Sequence, residues 1–291
     1  MSAAATELAA APPWRIIELP SGRSLRVRDS GPLVTDPDKP AVVLLHGWSV
    51  NADLNWCRSY EALGRESRII AWDHHGHGQH GLRGRRRFSL EGCADDAAEV
   101  IAALGVDSVV VVGYSMGGAV AQLLARRHPG LVKGLVLCAT ATRFAESSRE
   151  KWDHRVMSFL APFALFFPSL MWKLVERITK SRGGTLGIGD PEFDAWANQE
   201  VKSGQLHRIL EAGGALGDFD SSSWVGDLAV PTAVVSFTED TVVAPFRQEA
   251  LVAALSDPTI FEVPADHVGC ATQPNLFVPA LLRAQAAVSQ L

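Results

Sequence analysis

Three residues of this 291-residue chain offer nucleophilic chemistry in an interpretable order: Ser115, Asp240 and His267. Ser115 lies in Gly113-Tyr114-Ser115-Met116-Gly117, between four consecutive valines (residues 109–112) and the helix-forming run 119–128. The valines read as a central parallel strand buried on both faces. A tight turn from strand into helix forces the serine into strained backbone angles and lifts its hydroxyl clear of the sheet. Gly113 and Gly117 fit a place where strand and helix backbones approach too closely for side chains. A serine hydroxyl is a poor nucleophile at neutral pH, so it needs a base beside it and an acid to orient that base.

Candidates for both partners lie late in the chain. After the strand-like run 229–236 comes Thr238-Glu239-Asp240, and after the run 259–263 comes Pro264-Ala265-Asp266-His267. Each follows a strand's carboxyl end, where the sites of open α/β sheets gather. Asp240 is read as the acid, with Glu239 as its neighbouring rival, and His267 as the base. The bland alternatives are a turn-capping aspartate and a surface histidine, and both lose weight beside the serine turn. An oxyanion needs two donors fixed before reaction. The Met116 amide is one, and the Trp48 amide of His46-Gly47-Trp48, just after the apolar run 41–45, is the other. Gly47 there permits a close backbone turn.

The elements needed to position these residues are legible. Residues 14–19 and 24–29 flank the turn Pro20-Ser21-Gly22-Arg23 as an opening hairpin. Strands follow at 41–45, 67–72, 109–112, 132–138, 229–236 and 259–263. Helices are expected at 53–63, 90–104, 119–128, 246–255 and from 273 onward. This alternation indicates a mostly parallel sheet with helices on both faces. It breaks from 143 to 223, which carries aromatic and helical segments cut by Pro162, Pro168, Gly183-Gly184 and Gly213-Gly214. The layout is an α/β core, residues 1–142 and 224–291, with an inserted helical cap at 143–223.

Composition narrows the function. A net charge of -5 gives no reason to expect nucleic acid as a partner. Cys57, Cys93, Cys138 and Cys270 are scattered without a C-x-x-C pair, which argues against a zinc site or a disulfide framework. Residues 1–13 lack a basic start and a long apolar run, so they read as a disordered tail on a cytoplasmic protein. No apolar run is long enough to span a bilayer, which leaves peripheral lipid contact open. His74, His75, His77 and His80 raise a metal reading, but two glycines run through them and no cysteine is near, so no metal site is assigned. Arg83, Arg85, Arg86 and Arg87 read as a solvated basic loop, and Cys270 as a packed thiol.

The set His46-Gly47-Trp48, Asp73-x-x-Gly76-His77-Gly78, Gly113-Tyr114-Ser115-Met116-Gly117-Gly118, Asp240-x-Val242-Val243-x-Pro245 and Asp266-His267 resembles the α/β-hydrolase fold superfamily. It is similar to the branch of esterases and lipases in which His-Gly precedes a bulky residue. The resemblance implies a Ser115–Asp240–His267 triad, no cofactor and a small-molecule ester substrate. The same triad serves thioesterases, carbon–carbon bond hydrolases and cofactor-free perhydrolases, and the fold also serves as a non-catalytic receptor. One departure stands out: where the family has arginine in D-x-R-G-x-G, this chain has His75. In the cap, Phe159, Phe163, Phe166, Phe167 and Met171 crowd a segment that two prolines should break. They are expected either to pack the cap or to line an apolar acyl channel above Ser115. The number of subunits is not legible.

Overall fold

The computed structural model describes residues 6–32, 39–181 and 190–289. Along the chain run β1 (Trp14–Glu18), β2 (Ser24–Asp29), β3 (Ala41–Leu45), α1 (Ala52–Trp56), α2 (Tyr60–Glu66) and β4 (Ile69–Ala71). Next come α3 (Leu90–Ala103), β5 (Val109–Tyr114), α4 (Met116–Arg127) and β6 (Val132–Cys138). Four helices then intervene, α5 (Ser148–Phe166), α6 (Pro168–Ser181), α7 (Pro191–Ser203) and α8 (Leu206–Asp218). The chain closes with β7 (Thr232–Phe237), α9 (Pro245–Ala254), β8 (Thr259–Val263), α10 (Gly269–Thr272) and α11 (Pro274–Ser289).

The eight strands form one sheet in the order β1-β2-β4-β3-β5-β6-β7-β8. The β1–β2 and β2–β4 pairs are antiparallel, and every other pair is parallel. The valines of β5 show why this strand is central. Val109 and Val111 pack into the apolar cluster that holds α3 and α4, whereas Val110 and Val112 pack into the one that holds Trp56, Phe277 and Leu281. Successive strand residues point to opposite faces, so an all-valine run feeds both layers. Burying each valine stabilises the fold by roughly 1.5 kcal/mol or more.

Several expected boundaries differ. The helix anticipated at 53–63 is two short helices, because Cys57–Ser59 turns the chain and Tyr60 begins α2. Pro162 lies inside α5, which continues through it, and Gly213-Gly214 lie inside α8. These glycines serve contact rather than interruption. A Cβ at Gly214 would overlap Ser158 Oγ, one at Gly217 would overlap His154, and one at Gly213 would stand 2.5 Å from Met157 Sδ. They therefore let α8 lie close against α5. The Gly183-Gly184 pair falls outside the described residues.

The reading of residues 1–13 as a disordered tail is corrected for residues 6–13. Glu7 pairs with Arg58 at 2.9 Å, Leu8 and Ala11 pack against the core, and the Pro12 carbonyl accepts from Arg28 Nη1 at 2.6 Å. These contacts come from residues distant in sequence, so the local Ala/Pro composition could not reveal them.

Candidate active site

β5 ends at Tyr114 and α4 begins at Met116, leaving one residue for the turn. Ser115 takes φ 52° and ψ -115°, a conformation that costs about 1–3 kcal/mol and persists only where its surroundings impose it. They do so here. The Ser115 amide donates to the Cys138 carbonyl at 2.9 Å, and its carbonyl accepts from Thr140 Oγ1 at 2.8 Å and from the Gly118 amide at 2.9 Å. A Cβ at Gly113 would overlap the Gly117 carbonyl, and a Cβ at Gly117 would overlap the Leu45 carbonyl.

The parallel register sets Leu45 opposite Gly113, so the chain leaving β3 emerges beside Ser115. A methyl on Gly47 would stand 3.5 Å from Ser115 Cβ. Local sequence suggests no role for the His46 and Asn55 side chains, yet both hold this loop. Asn55 Oδ1 accepts the Gly47 amide at 2.9 Å. His46 Nε2 accepts the His74 amide at 2.9 Å, which leaves Nδ1 to carry the hydrogen and donate to the Gly47 carbonyl at 2.8 Å. Because the peptide is planar and trans, fixing that carbonyl turns the Trp48 amide to the opposite side. The Trp48 amide has no backbone acceptor among the described residues. Met116 opens α4, so its amide has no carbonyl to bond within the helix. The Trp48 ring is tied separately, its Nε1 donating to the Ile209 carbonyl on α8 at 2.8 Å.

Beyond the β7–β8 pairing, the Thr238 amide donates to the Val263 carbonyl at 3.0 Å and the Glu239 amide to the Ala265 carbonyl at 3.2 Å. These bonds bring the two loops side by side. Asp240 is buried, and its Oδ1 accepts the Val242 and Val243 amides at 2.8 Å each. Its Oδ2 lies 2.7 Å from His267 Nδ1 and accepts Gln248 Nε2 at 3.3 Å. Glu239 is exposed, so the acid beside the imidazole is Asp240. His267 Nε2 lies 3.0 Å from Ser115 Oγ. A carboxylate only accepts, so Nδ1 donates to Asp240 and Nε2 is free to accept the serine proton. Tyr114 adds a strut that the motif did not suggest, its hydroxyl donating to the His267 carbonyl at 2.7 Å. Gln248 sits on α9 with no local signal of its role.

A second cluster lies beneath the Trp48 loop. The His46 ring centroid is 4.4 Å from that of His74 and 5.4 Å from that of His77. Burial, reinforced by the neighbouring imidazoles, holds His46 well below the usual histidine range and His74 down at about 3. Burial also takes His77 down to about 4 and pushes the Asp73 carboxyl up to about 7. Among the described residues, no three His, Cys, Asp or Glu side chains are grouped to hold a metal ion. His75, the departure from the family pattern, has Nε2 2.9 Å from the Arg86 carbonyl. The basic loop is exposed, with Arg86 reaching Asp96 at 2.5 Å and Arg87 reaching Glu211 at 3.4 Å. Burial pushes the Cys270 thiol up to about 11.

The acyl-channel expectation is corrected. Phe159, Phe163, Phe166 and Phe167 are 51–74 % exposed, on the outer side of the α5–α6 hairpin. Met171 is buried with Ala161, Ala164, Leu206 and Leu210, inside the helical segment's own apolar cluster. Helical periodicity places apolar residues on faces but does not say which face meets the protein. Beside the Trp48 ring the structure places Met157 and Gly213 instead.

A mostly parallel sheet wrapped by helices, with a serine on a one-residue turn at its carboxyl edge, is the architecture of the α/β-hydrolase fold. Residues 40–170 match the family model described as alpha/beta hydrolase fold. The chain is 28% identical over 244 residues to a pimeloyl-[acyl-carrier protein] methyl ester esterase of Chromobacterium violaceum, covering 83% of this chain and 92% of that one. It is 26% identical over 259 residues to an Agrobacterium fabrum protein named for carbamate hydrolysis, RutD, covering 86% and 94%. In structure it resembles a thermophilic esterase from Thermogutta terrifontis with a TM-score of 0.74 at 24% identity, covering 96% of this chain and all of the other. The chain has the α/β-hydrolase fold, and its relatives include esterases.

Proposed function

We infer that the protein is a serine-dependent hydrolase of carboxylic esters. The observation that carries this reading is the continuous path from Ser115 Oγ through His267 to Asp240, with links of 3.0 and 2.7 Å. It starts at a serine whose φ of 52° is held by the sheet edge. Ser115 attacks the ester carbonyl while His267 Nε2 takes the hydroxyl proton. Asp240 holds the imidazole in the required tautomer and stabilises its charged form. The Trp48 and Met116 amides bind the oxyanion as it develops; the loss of one such donor in comparable sites costs about 10²–10³ in kcat. His267 then returns the proton to the departing alcohol, leaving an acyl group on Ser115. Water, activated by the same imidazole, releases the acid. Only protein groups are required.

Residues 1–142 and 224–291 form the catalytic core in this reading, and 143–223 the cap. With the four phenylalanines outside, acyl preference is set by side chains nearer Trp48, of which Met157 is the most adaptable. The test is a panel of acyl esters, the matching thioesters and a carbamate, each of several acyl lengths. Esters are expected to be turned over by the wild type and not by Ser115→Ala. Thioesters or carbamates preferred by tenfold or more in kcat/KM would move the activity to one of those classes. No turnover of any substrate, together with no covalent labelling, would favour a non-catalytic receptor.

A further inference from the structure

Fourteen large apolar side chains are exposed among the described residues, and eight of them lie between Trp152 and Leu174. Such a concentration on one hairpin is unlike the scattered exposure that ordinary surfaces show. Phe159, Phe163 and Phe166 recur at helical spacing on the outer face of α5, with the Phe159 and Phe163 ring centroids 6.2 Å apart. Phe167, Leu170 and Leu174 continue the apolar surface around the turn onto α6. The opposite side of the hairpin already has its partner, since Ala161, Ala164 and Met171 pack against Leu206 and Leu210. The exposed rings are therefore surplus to the fold's own packing. The turn is also closed in its backbone, the Phe167 amide donating to Phe163 at 2.8 Å and the Met171 amide to Phe167 at 3.1 Å.

Charge identifies the occupant. The exposed side chains of Lys151 and Arg155 precede the phenylalanines on α5, and those of Lys173 and Arg177 follow the apolar start of α6. Across the two helices the sequence has six cations (Arg149, Lys151, Arg155, Lys173, Arg177 and Lys180) against three carboxylates (Glu150, Asp153 and Glu176). One of those carboxylates, Glu150, is paired with Arg247. This surplus sits on a protein whose net charge is -5. Lys173 lies five residues after Pro168 at the start of α6, or about 8 Å along the helix, so the nearest cation stands behind the tip at about the depth to which interfacial helices sink. A second copy meeting this face would set one cationic collar against another. We propose that the α5–α6 hairpin is a docking surface for anionic lipid, its phenylalanine tip entering the acyl boundary and its collar of lysine and arginine meeting the head groups.

The experiment is co-sedimentation of the full chain with phosphatidylcholine vesicles, with and without phosphatidylglycerol. The wild type is expected to pellet with the anionic vesicles, to remain in solution with phosphatidylcholine alone, and to be released by salt. Phe166→Ser/Phe167→Ser should weaken partitioning by about tenfold or more. Lys173→Gln and Arg177→Gln should each weaken it by about fivefold. The Tm of the phenylalanine variant should stay close to the wild type, because both residues are mostly exposed. Equal binding to both vesicles, or to neither, overturns the proposal. So does a wild-type dimer that Phe166→Ser/Phe167→Ser turns into a monomer, which would make a second copy the occupant. A marked fall in Tm in that variant would make the rings part of the fold and overturn it as well.

Discussion

The carboxyl edge of the sheet and the four helices between β6 and β7 are both tightly packed, but different atoms form their walls. A side chain at Gly117 would meet the Leu45 and His46 carbonyls, which are fixed in and beside a central strand. One at Gly213 would meet the sulfur of Met157 and the ring of Trp48, the ends of side chains. Backbone walls hold a side chain in place, as the strained Ser115 shows. Side-chain walls can be rearranged without disturbing the sheet. The proposed chemistry thus sits on the rigid edge, while the helices above supply a surface that can be changed independently.

The largest expected effect lies at the rigid edge and separates two adjacent acids. Asp240→Asn should lower kcat by about 10⁴, as loss of the orienting carboxylate does in comparable triads, while Glu239→Gln should change it little. Steady-state kinetics on any ester found to be turned over will decide, and a reversed order would mean that Asp240 is not the partner of His267. The next comparison sets the two glycines against each other. Gly117→Ala should destabilise the fold by about 3 kcal/mol or more, because neither backbone can yield, whereas Gly213→Ala should cost about 1 kcal/mol as Met157 moves aside. Equal losses in urea unfolding would remove the distinction between the two walls.

Acid should also find the sheet edge first. His46, His74 and His77 are held below their unfolded value of about 6.5. As pH falls through that value the unfolded chain takes up protons that the folded chain refuses, so stability is lost from pH 6.5 down to about 4. Asp73, raised to about 7, works in the opposite direction, since the folded chain protonates it first. Three imidazoles against one carboxyl leave a net difference of about two protons, or very roughly 2–3 kcal/mol per pH unit. Tm should therefore fall between pH 6.5 and 5. A Tm that holds steady or rises over that range would contradict the burial of these groups as neutral imidazoles.

What could be read in advance follows the same division. The four valines, the glycines around Ser115 and the loops after 236 and 263 carry their geometry in local sequence, and the structure joins all three candidate residues at the distances such chemistry needs. Asp240 and Glu239 could not be fully separated, because which neighbour turns inward depends on the Val242 and Val243 amides that cap Asp240. Elsewhere the local signals misled. Pro162 and Gly213-Gly214 read as breaks, but Pro162 stands on an exposed face of α5 and the glycines answer to the close approach of that helix. The phenylalanines read as either cap packing or channel lining, because composition cannot tell an inner face from an outer one. The support from His46, Asn55 and Gln248 depends on partners that only the fold brings near.

In the proposed mechanism Ser115 is a nucleophile activated by its surroundings. Its most direct test is reaction of the folded protein with an alkyl fluorophosphonate, followed by peptide mass spectrometry. One adduct is expected, on Ser115, with labelling lost in Ser115→Ala and strongly slowed in Asp240→Asn. An unlabelled Ser115, or an adduct on another residue that persists in Ser115→Ala, would contradict it.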